Sequence, residues 1–394
     1  MAAFNPADPA FLENPFPFYE VGQKMSPLYF DTPDGGGIWS AFRYEECVSI
    51  LRDHQSWSSY SPPPPDMTDV PEPSMLGADP PRHTRLRGLV SQAFTPRMIE
   101  QLEPRIYEVA NQLIDAIADK READIVDALT YPLPVIMIAE ILGIPTEDRA
   151  DFRRWSDEIV ATLGTGLNGE DAPLSEQTQR EIRDYFTKMV EERRAKPRND
   201  LISGLVAAEL EGSKLNFEEL MQMLILLLVA GNETTTNLIG NAIQEFIAHP
   251  DQLRRVLDNR AILPSAIEEV LRYSSPVQAT VRRATRDLEI GGKTIKKDQQ
   301  TLVWLASANR DEAVFCEPTR FDVTRTPNRH LSFGLGIHFC LGAPLARMEA
   351  RVALDVFLKR IRNFERVDSN PLPRVPTFIM RGVRELPIRY EVVA

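Results

Sequence analysis

Residues 332–350 read SFGLGIHFCLGAPLARMEA, and this stretch decides the fold. Three glycines surround Cys340, and a helical pattern begins directly after them. Glycines permit a tight loop and let the backbone approach a flat ligand closely. Backbone N–H groups pointing at the sulfur, together with a helix N-terminus, would stabilise a thiolate. A single cysteine in a glycine-rich turn could instead be buried and inert, but the complete FGxGxHxCxG spacing over 333–342 favours a ligand site.

A second stretch, LILLLVAGNETTTNLIG at residues 224–240, is apolar for seven positions and then abruptly polar. Taking a charge out of water costs several kcal/mol unless the group is paired or protonated. A carboxylate such as Glu233 in a buried helix is therefore a candidate functional group. The alternative is that Glu233 faces solvent and the threonines after it bond to carbonyls one turn back.

Composition narrows the class of protein. The chain has 394 residues, a net charge of −12 and a pI near 5.1, which disfavours binding to nucleic acids or to anionic membranes. The N-terminus lacks the pattern of a signal peptide. The longest apolar run, 220–231, is shorter than the roughly 20 residues that span a bilayer. We therefore expect a cytoplasmic protein without membrane attachment.

The cysteines and histidines indicate neither disulfides nor zinc. Three cysteines lie far apart along the chain, which does not fit a disulfide framework. Five histidines show no zinc-ligand spacing.

Helical periodicity dominates, and strands do not alternate regularly with helices, so the expected fold is mainly α with small β-sheets in a single domain over 1–394. The proline-rich segment 58–81 is predicted to be a loop and could serve as a binding lid. The predicted helices are 95–118, 131–143, 151–164, 175–196, 216–250 and 263–274, and the predicted strands are 27–32, 36–42, 280–290, 300–306 and 386–393.

The FGxGxHxCxG pattern resembles the haem-binding loop of the cytochrome P-450 family, the haem-thiolate monooxygenases. The resemblance covers nearly the whole chain and is closest to bacterial members without a membrane anchor, in particular hydroxylases of bacilli that accept fatty acids, terpenoids and steroids. It includes the Glu-x-x-Arg helix at 266–277, the loop at 317–321, the oxygen-activating helix around 226–237 and the propionate-contacting segment at 79–90.

The resemblance implies a cytochrome P-450 fold that holds haem b between a long central helix and the helix after the cysteine loop. Cys340 matches the axial thiolate on iron, and such a thiolate favours cleavage of the O–O bond. The other cofactor-contacting positions that it implies are Phe333 beside the sulfur, Gly342, Ala230 and Gly231 on the central helix, and the propionate partners His83, Arg87, Arg282 and His338, with Arg283 as a rival for Arg282.

Glu233 and Thr234 match the family's acid–alcohol pair, which is implied to relay two protons to oxygen. Little side chain at Ala230 and Gly231 makes a local helix distortion plausible there. Glu269 and Arg272 match a structural network that Arg320 is expected to complete. The substrate pocket is inferred by matching regions, and its candidates are Leu227, Val229, Thr235, Val277, Ala279, Phe378 and Ile379.

The implied function is insertion of one oxygen atom from O2 into a medium-sized hydrophobic compound: a fatty acid, terpenoid, steroid or polyketide-like molecule. No flavin or dinucleotide signature is present, so electrons from NAD(P)H are expected to arrive through a reductase and a ferredoxin or flavodoxin. The alternatives are a peroxide-driven peroxygenase and a non-catalytic haem sensor or carrier. An acidic donor could dock on the arginines at positions 82, 85, 87, 97, 347 and 351.

Overall fold

The computed structural model describes residues 6, 8–31, 37–62, 73–162, 174–210 and 212–393. Helices dominate this part of the chain and short strands form small sheets, which confirms the predicted fold class. The central part of the predicted 58–81 loop lies outside the described residues, and so does its expected role as a lid.

The helices and strands are numbered in chain order. The helices are α1 Pro9–Glu13, α2 Phe16–Met25, α3 Tyr44–Arg52, α4 Arg82–Ala93, α5 Pro96–Asp115, α6 Pro132–Leu142, α7 Arg149–Thr162, α8 Glu176–Ala195, α9 Leu201–Ala207, α10 Phe217–Ala230, α11 Asn232–Ala248, α12 Pro250–Asp258, α13 Leu263–Tyr273, α14 Leu305–Ala308 and α15 Ala343–Arg360. The strands are β1 Leu28–Asp31, β2 Gly37–Ala41, β3 Trp57–Ser58, β4 Glu122–Asp124, β5 Glu209–Leu210, β6 Ser213–Lys214, β7 Thr280–Ala284, β8 Leu288–Ile290, β9 Lys293–Ile295, β10 Gln300–Val303, β11 Ile361–Arg366 and β12 Pro387–Val392.

The predicted helix 216–250 is two helices that meet at Gly231. Asn216 starts α10 with a capping box, in which its side chain and that of Glu219 each accept an N–H from the other's backbone. The regular helix is interrupted between Ala230 and Asn232, which confirms the expected distortion. By length and composition the combined segment could cross a membrane, but 56% of its apolar window is buried inside the fold, as in the core helix of a globular protein.

The core is built around α11 and α15. Helix α11 packs against α15, α13 and α6, and α15 also packs along α5. Consecutive residues of α11, such as Leu238, Ile239, Ala242 and Ile243, are buried on all sides. Because α11 lies in the core, the polar residues at its N-terminal end are held inside the molecule.

The larger sheet has the order β1-β2-β10-β7-β3, in which β10 runs parallel to β2 and antiparallel to β7. The predicted strand 280–290 is wrong as a single element. It divides into β7 and β8, and Asp287 between them accepts the backbone N–H of Lys297 at 2.9 Å. The predicted strand 300–306 ends at Val303, and α14 begins two residues later at Leu305.

Candidate functional site

The cysteine loop is a fixed backbone structure. Gly334 and Gly336 have φ of 70° and 74°, a left-handed conformation that residues with a Cβ rarely adopt. A Cβ at Gly336 would also collide with the carbonyl oxygen of Leu51. The N–H of Cys340 donates to the carbonyl of Phe333 at 2.9 Å, which closes the loop. The glycine spacing therefore dictates where the sulfur lies.

Cys340 lies just before the N-terminus of the 18-residue helix α15 and is partly buried. Burial raises the pKa of the thiol, while the backbone N–H groups of Gly342 and Ala343 and the nearby Arg87 lower it. A buried thiolate is favoured when a metal binds it. Among the described residues, no group of three His, Cys, Asp or Glu side chains could hold a metal ion. Cys340 would therefore hold an iron whose other ligands come from a macrocycle rather than from a cluster of protein side chains.

Four basic side chains from three elements converge near this loop. His83 and Arg87 lie one turn apart on α4, Arg282 lies on β7, and His338 belongs to the cysteine loop. The rings of His83 and His338 are 4.2 Å apart between centroids. Both ring nitrogens of His83 and Nε2 of His338 are buried without a hydrogen-bond partner. Unpartnered buried polar atoms are costly, so their presence together points to a missing polar ligand.

The charges of this cluster indicate that the ligand is anionic. Burial lowers the pKa of Arg282 to about 10, and burial together with His83 and Arg282 lowers that of His338 to about 3. Asp79 is the acid that acts on Arg282, and its carboxylate already accepts the N–H of Ser59 at 2.9 Å and the Ser58 hydroxyl. Haem b carries two propionates, so the residues present fit this group.

Arg282, rather than Arg283, belongs to this cluster. The side chain of Arg282 is buried, while Arg283 points away and bonds to Asp298 and to the carbonyl of Tyr60 at 3.0 Å.

The break between α10 and α11 leaves open space beside Gly231. Nothing lies within 4 Å of a Cβ built at Gly231, and Ala230 is exposed although it ends a largely apolar helix. Leu227 and Val229 are partly buried on the same stretch. An apolar surface left uncovered in the middle of a fold is typical of a ligand cavity.

Thr234 and Glu233 differ in how they are bonded. The Thr234 hydroxyl donates to the Ala230 carbonyl at 2.8 Å, one turn back, as the alternative interpretation of the sequence expected. Glu233 does not face bulk solvent freely. Burial raises the pKa of its carboxyl, and the Asn237 amide, which donates to Oε1 at 3.2 Å, opposes the shift.

Sequence reasoning missed the groups around Glu233. Asn237 lies one turn along α11, and a Cβ at Gly382 would collide with its Oδ1, so only glycine fits there. Two charged residues that do not belong to α11 also act on the carboxyl: Asp157 of α7 raises the pKa of Glu233, and Arg384 lowers it. The Asn237 contact could have been found from its i, i+4 spacing, but nothing local links Asp157 or the 382–384 segment to this site.

The buried ion-pair network contains a different arginine from the one expected. Arg272 forms two bonds of 2.8 Å with Glu269, and both side chains are fully buried. The second arginine is Arg325, whose Nε lies 3.1 Å from both Glu269 oxygens. The prediction of Arg320 is wrong: its side chain is 55% exposed and pairs with Glu317, while only its carbonyl accepts a bond from Arg272.

Several predicted pocket residues belong to the core instead. Ala279 and Phe378 are buried at 1% and 2% exposure in a cluster with Trp304, and Thr235 is buried on α11. Their side chains are almost fully covered by other parts of the chain, so we correct these assignments. Leu227, Val229, Val277 and Ile379 are partly buried and keep some free surface.

The arginines expected to dock an electron donor are mostly engaged within the chain. Arg82 and Arg85 pair with Glu219, Arg347 forms bonds of 2.7 and 2.8 Å with Glu268, and Arg351 lies 2.9 Å from Glu103. Their charge is therefore partly neutralised.

Comparison with known proteins agrees with this geometry. The family model described as Cytochrome P450 matches residues 49–391. The structure of Cytochrome P450 CYP109Q5 from Chondromyces apiculatus is 42% identical with a TM-score of 0.90, and the match covers 99% of this chain and 98% of that one. CYP109E1 from Bacillus megaterium, solved in complex with testosterone, is 38% identical with a TM-score of 0.84, covering 95% and 99%.

A curated relative gives the same result. The Cytochrome P450 monooxygenase PikC of Streptomyces venezuelae is 39% identical over 391 residues, which cover 96% of this chain and 92% of the relative. The match therefore includes the cysteine loop, the basic cluster and the broken helix. The chain belongs to the cytochrome P450 family, whose members bind haem b and act as monooxygenases.

Proposed function

We propose that this enzyme inserts one oxygen atom from O2 into a medium-sized hydrophobic molecule. The observation that carries the proposal is the state of Glu233: a partly buried carboxyl with a raised pKa, adjacent to the Thr234 hydroxyl at a helix break. A carboxyl whose pKa is raised by burial holds a proton more readily than a free carboxyl does, which suits a group that delivers protons.

The proposed cofactor site uses the residues that converge at the cysteine loop. Cys340 would hold the iron, with the N–H groups of Gly342 and Ala343 stabilising its thiolate. His83, Arg87, Arg282 and His338 would bond to the propionates and satisfy the ring nitrogens that have no partner in the chain. Phe333 would shield the sulfur, and its ring is held by the Arg347 guanidinium 4.4 Å above it. When bound, haem supplies the activation of O2 and the transfer of an oxygen atom.

The chain's own role in the reaction is to move protons and hold the substrate. Glu233 takes protons from the solvent side, where Asp157 and Arg384 act on it. The Thr234 hydroxyl donates to the Ala230 carbonyl, which leaves its oxygen lone pairs free to accept a hydrogen bond from a water molecule. The adjacent hydroxyl and carboxyl then form a short proton path.

The substrate class follows from the uncovered face of α10. Leu227, Val229 and Ala230 offer apolar surface without a charged group. Such a face favours a hydrophobic substrate such as a fatty acid, terpenoid, steroid or polyketide-like molecule. CYP109E1, solved with testosterone, is a relative of matching fold, and this supports including steroids in a substrate screen.

Electrons are proposed to come from NAD(P)H through a reductase and a ferredoxin or flavodoxin. The proposal rests on the absence of flavin and dinucleotide signatures in the sequence. We propose a single-domain protein acting in the cytoplasm, and the acidic pI near 5.1 supports a partner other than nucleic acid.

The test is turnover of the haem-loaded protein with decanoic acid, a terpenoid and testosterone. Each compound is first screened for a shift in the Soret spectrum. Binders are then incubated either with NADPH and a surrogate ferredoxin–reductase pair or with hydrogen peroxide. We expect hydroxylated product mainly in the first reaction. Greater product with peroxide would identify a peroxygenase, and no spectral shift or product with any compound would favour a non-catalytic haem protein.

A further inference from the structure

A cationic cleft lies between the N-terminal segment and the chain around residues 374–382. Its lining combines apolar side chains, such as Phe11 and Met380, with Arg374 and Arg381. No step of the proposed reaction uses this cleft. Two arginines in one small cleft repel each other unless an anion lies between them.

A third arginine extends this cluster. The Arg310 guanidinium stacks over the ring of Phe16 at 3.6 Å, and Arg381 lies over the same ring at 5.0 Å. Burial lowers the pKa of Arg310, Arg374 and Arg381, and Arg381 is further lowered by Arg374. The three side chains therefore form one largely desolvated group of like charge.

None of the described carboxylates forms a direct ion pair with this group. Among the described ranges, none of the three arginines has an acidic oxygen within 4.0 Å. Two acids act on the group without pairing with it: Glu245 acts on all three arginines, and Glu13 acts on Arg374. The oxygens of the partly buried Glu245 are engaged by the Ser274 hydroxyl and by His249 Nδ1 at 3.3 Å.

The donors of the cluster are also poorly satisfied. Nε of Arg374 is buried and has no hydrogen-bond partner. Arg381 reaches only the carbonyls of Leu12 and Glu13, at 3.5 and 3.4 Å, which is the long limit for a hydrogen bond. Unused guanidinium N–H groups are strong donors for an anionic acceptor.

We propose that this cleft binds a small monovalent anion, either a halide or the carboxylate of a small organic acid, between Arg374 and Arg381. The apolar walls of the cleft would strengthen the attraction between the anion and the two arginines by excluding water. Arg310 supplies additional positive potential from behind Phe16.

Anion binding in this cleft would strengthen the contacts between residues 381–382 and helix α11. The Asn241 amide of α11 donates to the carbonyl of Arg381 at 3.1 Å and to that of Ser274 at 2.9 Å. Gly382, the next residue, packs against Asn237. An anion that orders Arg381 would thus stabilise the segment that lies against the neighbour of Glu233.

The test is thermal unfolding of the haem-loaded protein during titration with chloride or acetate, at constant ionic strength maintained with a bulky sulfonate. Acetamide serves as the neutral control for acetate. We expect a saturable rise in Tm of roughly 2 °C at about tenfold excess over the Kd. Arg374→Gln should abolish the rise, while Arg384→Gln, an exposed arginine on the same segment, should keep it. Response to both chloride and acetate would indicate a general anion site, and response to acetate alone a carboxylate site.

A second measurement uses the unaltered protein and therefore does not require any variant to fold. Crystals of the unaltered protein soaked in bromide should show an anomalous peak between the two guanidinium groups. A Tm response that is identical in Arg374→Gln and the unaltered protein would overturn the proposal. Absence of both the saturable response and the bromide peak would do the same.

Discussion

The cysteine loop and the broken central helix are set up by different kinds of contact. In the loop, the glycines, the Cys340–Phe333 hydrogen bond and the start of α15 all lie within one short stretch of chain. Around the helix break, the Glu233 carboxyl is influenced by Asn237 of its own helix, by Asp157 of α7 and by Arg384 near the C-terminus.

The difference shows which part of a haem-protein site a sequence can specify locally. A loop whose backbone needs left-handed residues at fixed positions leaves a regular spacing of glycines. A buried carboxyl instead depends on whatever surrounds it in three dimensions, which leaves no fixed spacing. Variants around the cysteine loop should therefore change stability and haem retention. Variants around the helix break should change proton delivery.

The largest effect is expected in the network that supports the loop. Arg325→Ala leaves Glu269 buried with one cationic partner fewer, which should lower the free energy of unfolding by about 3–5 kcal/mol. Arg320→Ala removes only an exposed pair with Glu317 and should cost at most about 1 kcal/mol. Denaturant unfolding of both variants measures the difference. Equal costs would mean that Arg325 is not part of the network.

Thr234→Ala tests the helix side. Loss of a group that acts in proton transfer should lower product formation per NADPH consumed by roughly 100-fold, while haem content and substrate binding stay unchanged. Reducing equivalents should appear as hydrogen peroxide instead. Thr234→Ser retains the hydroxyl and should preserve most of the coupling. Unchanged coupling in Thr234→Ala would show that protons take another route.

His83→Ala tests the basic cluster. A hydrogen bond to a charged group contributes about 1.5–3 kcal/mol, so the rate of haem loss to an apoprotein acceptor should rise roughly 10-fold or more. Thr84→Ala, at the exposed neighbouring position of α4, is the matched control. Equal rates of haem loss in both variants would remove His83 from the proposed propionate partners.

The smallest effect is expected from Asn237→Ala. Its N–H stabilises the ionised Glu233, so removing it should raise the pKa of that carboxyl further. Delivery of a proton requires the protonated carboxyl, so the loss of coupling at high pH should move to higher pH, with a several-fold change in rate. Gly382→Ala displaces Asn237 from the C-terminal side and should give the same shift.

Gly77→Ala, where a Cβ makes only ordinary contacts, is the control for the glycine variant. A pH profile that is the same in the unaltered protein and in Asn237→Ala would contradict the positioning role.

The sequence predicted the fold class and the distortion at Gly231 because each has a local signal. It failed where the partner is distant. Arg320 lies in a recognisable loop, yet Arg325 reaches Glu269 because the chain turns back after that loop. Ala279 and Phe378 are apolar and lie in a matched region, but apolarity does not distinguish a pocket wall from the core.

The measurement that tests the central claim most directly is the absorption spectrum of the reduced protein under carbon monoxide. We expect a strongly red-shifted Soret band that is lost in Cys340→Ser and kept in Cys316→Ser, since Cys316 is an exposed cysteine outside the loop. A Soret band at the position typical of histidine-ligated or thiol-ligated haem in the unaltered protein would contradict thiolate ligation by Cys340.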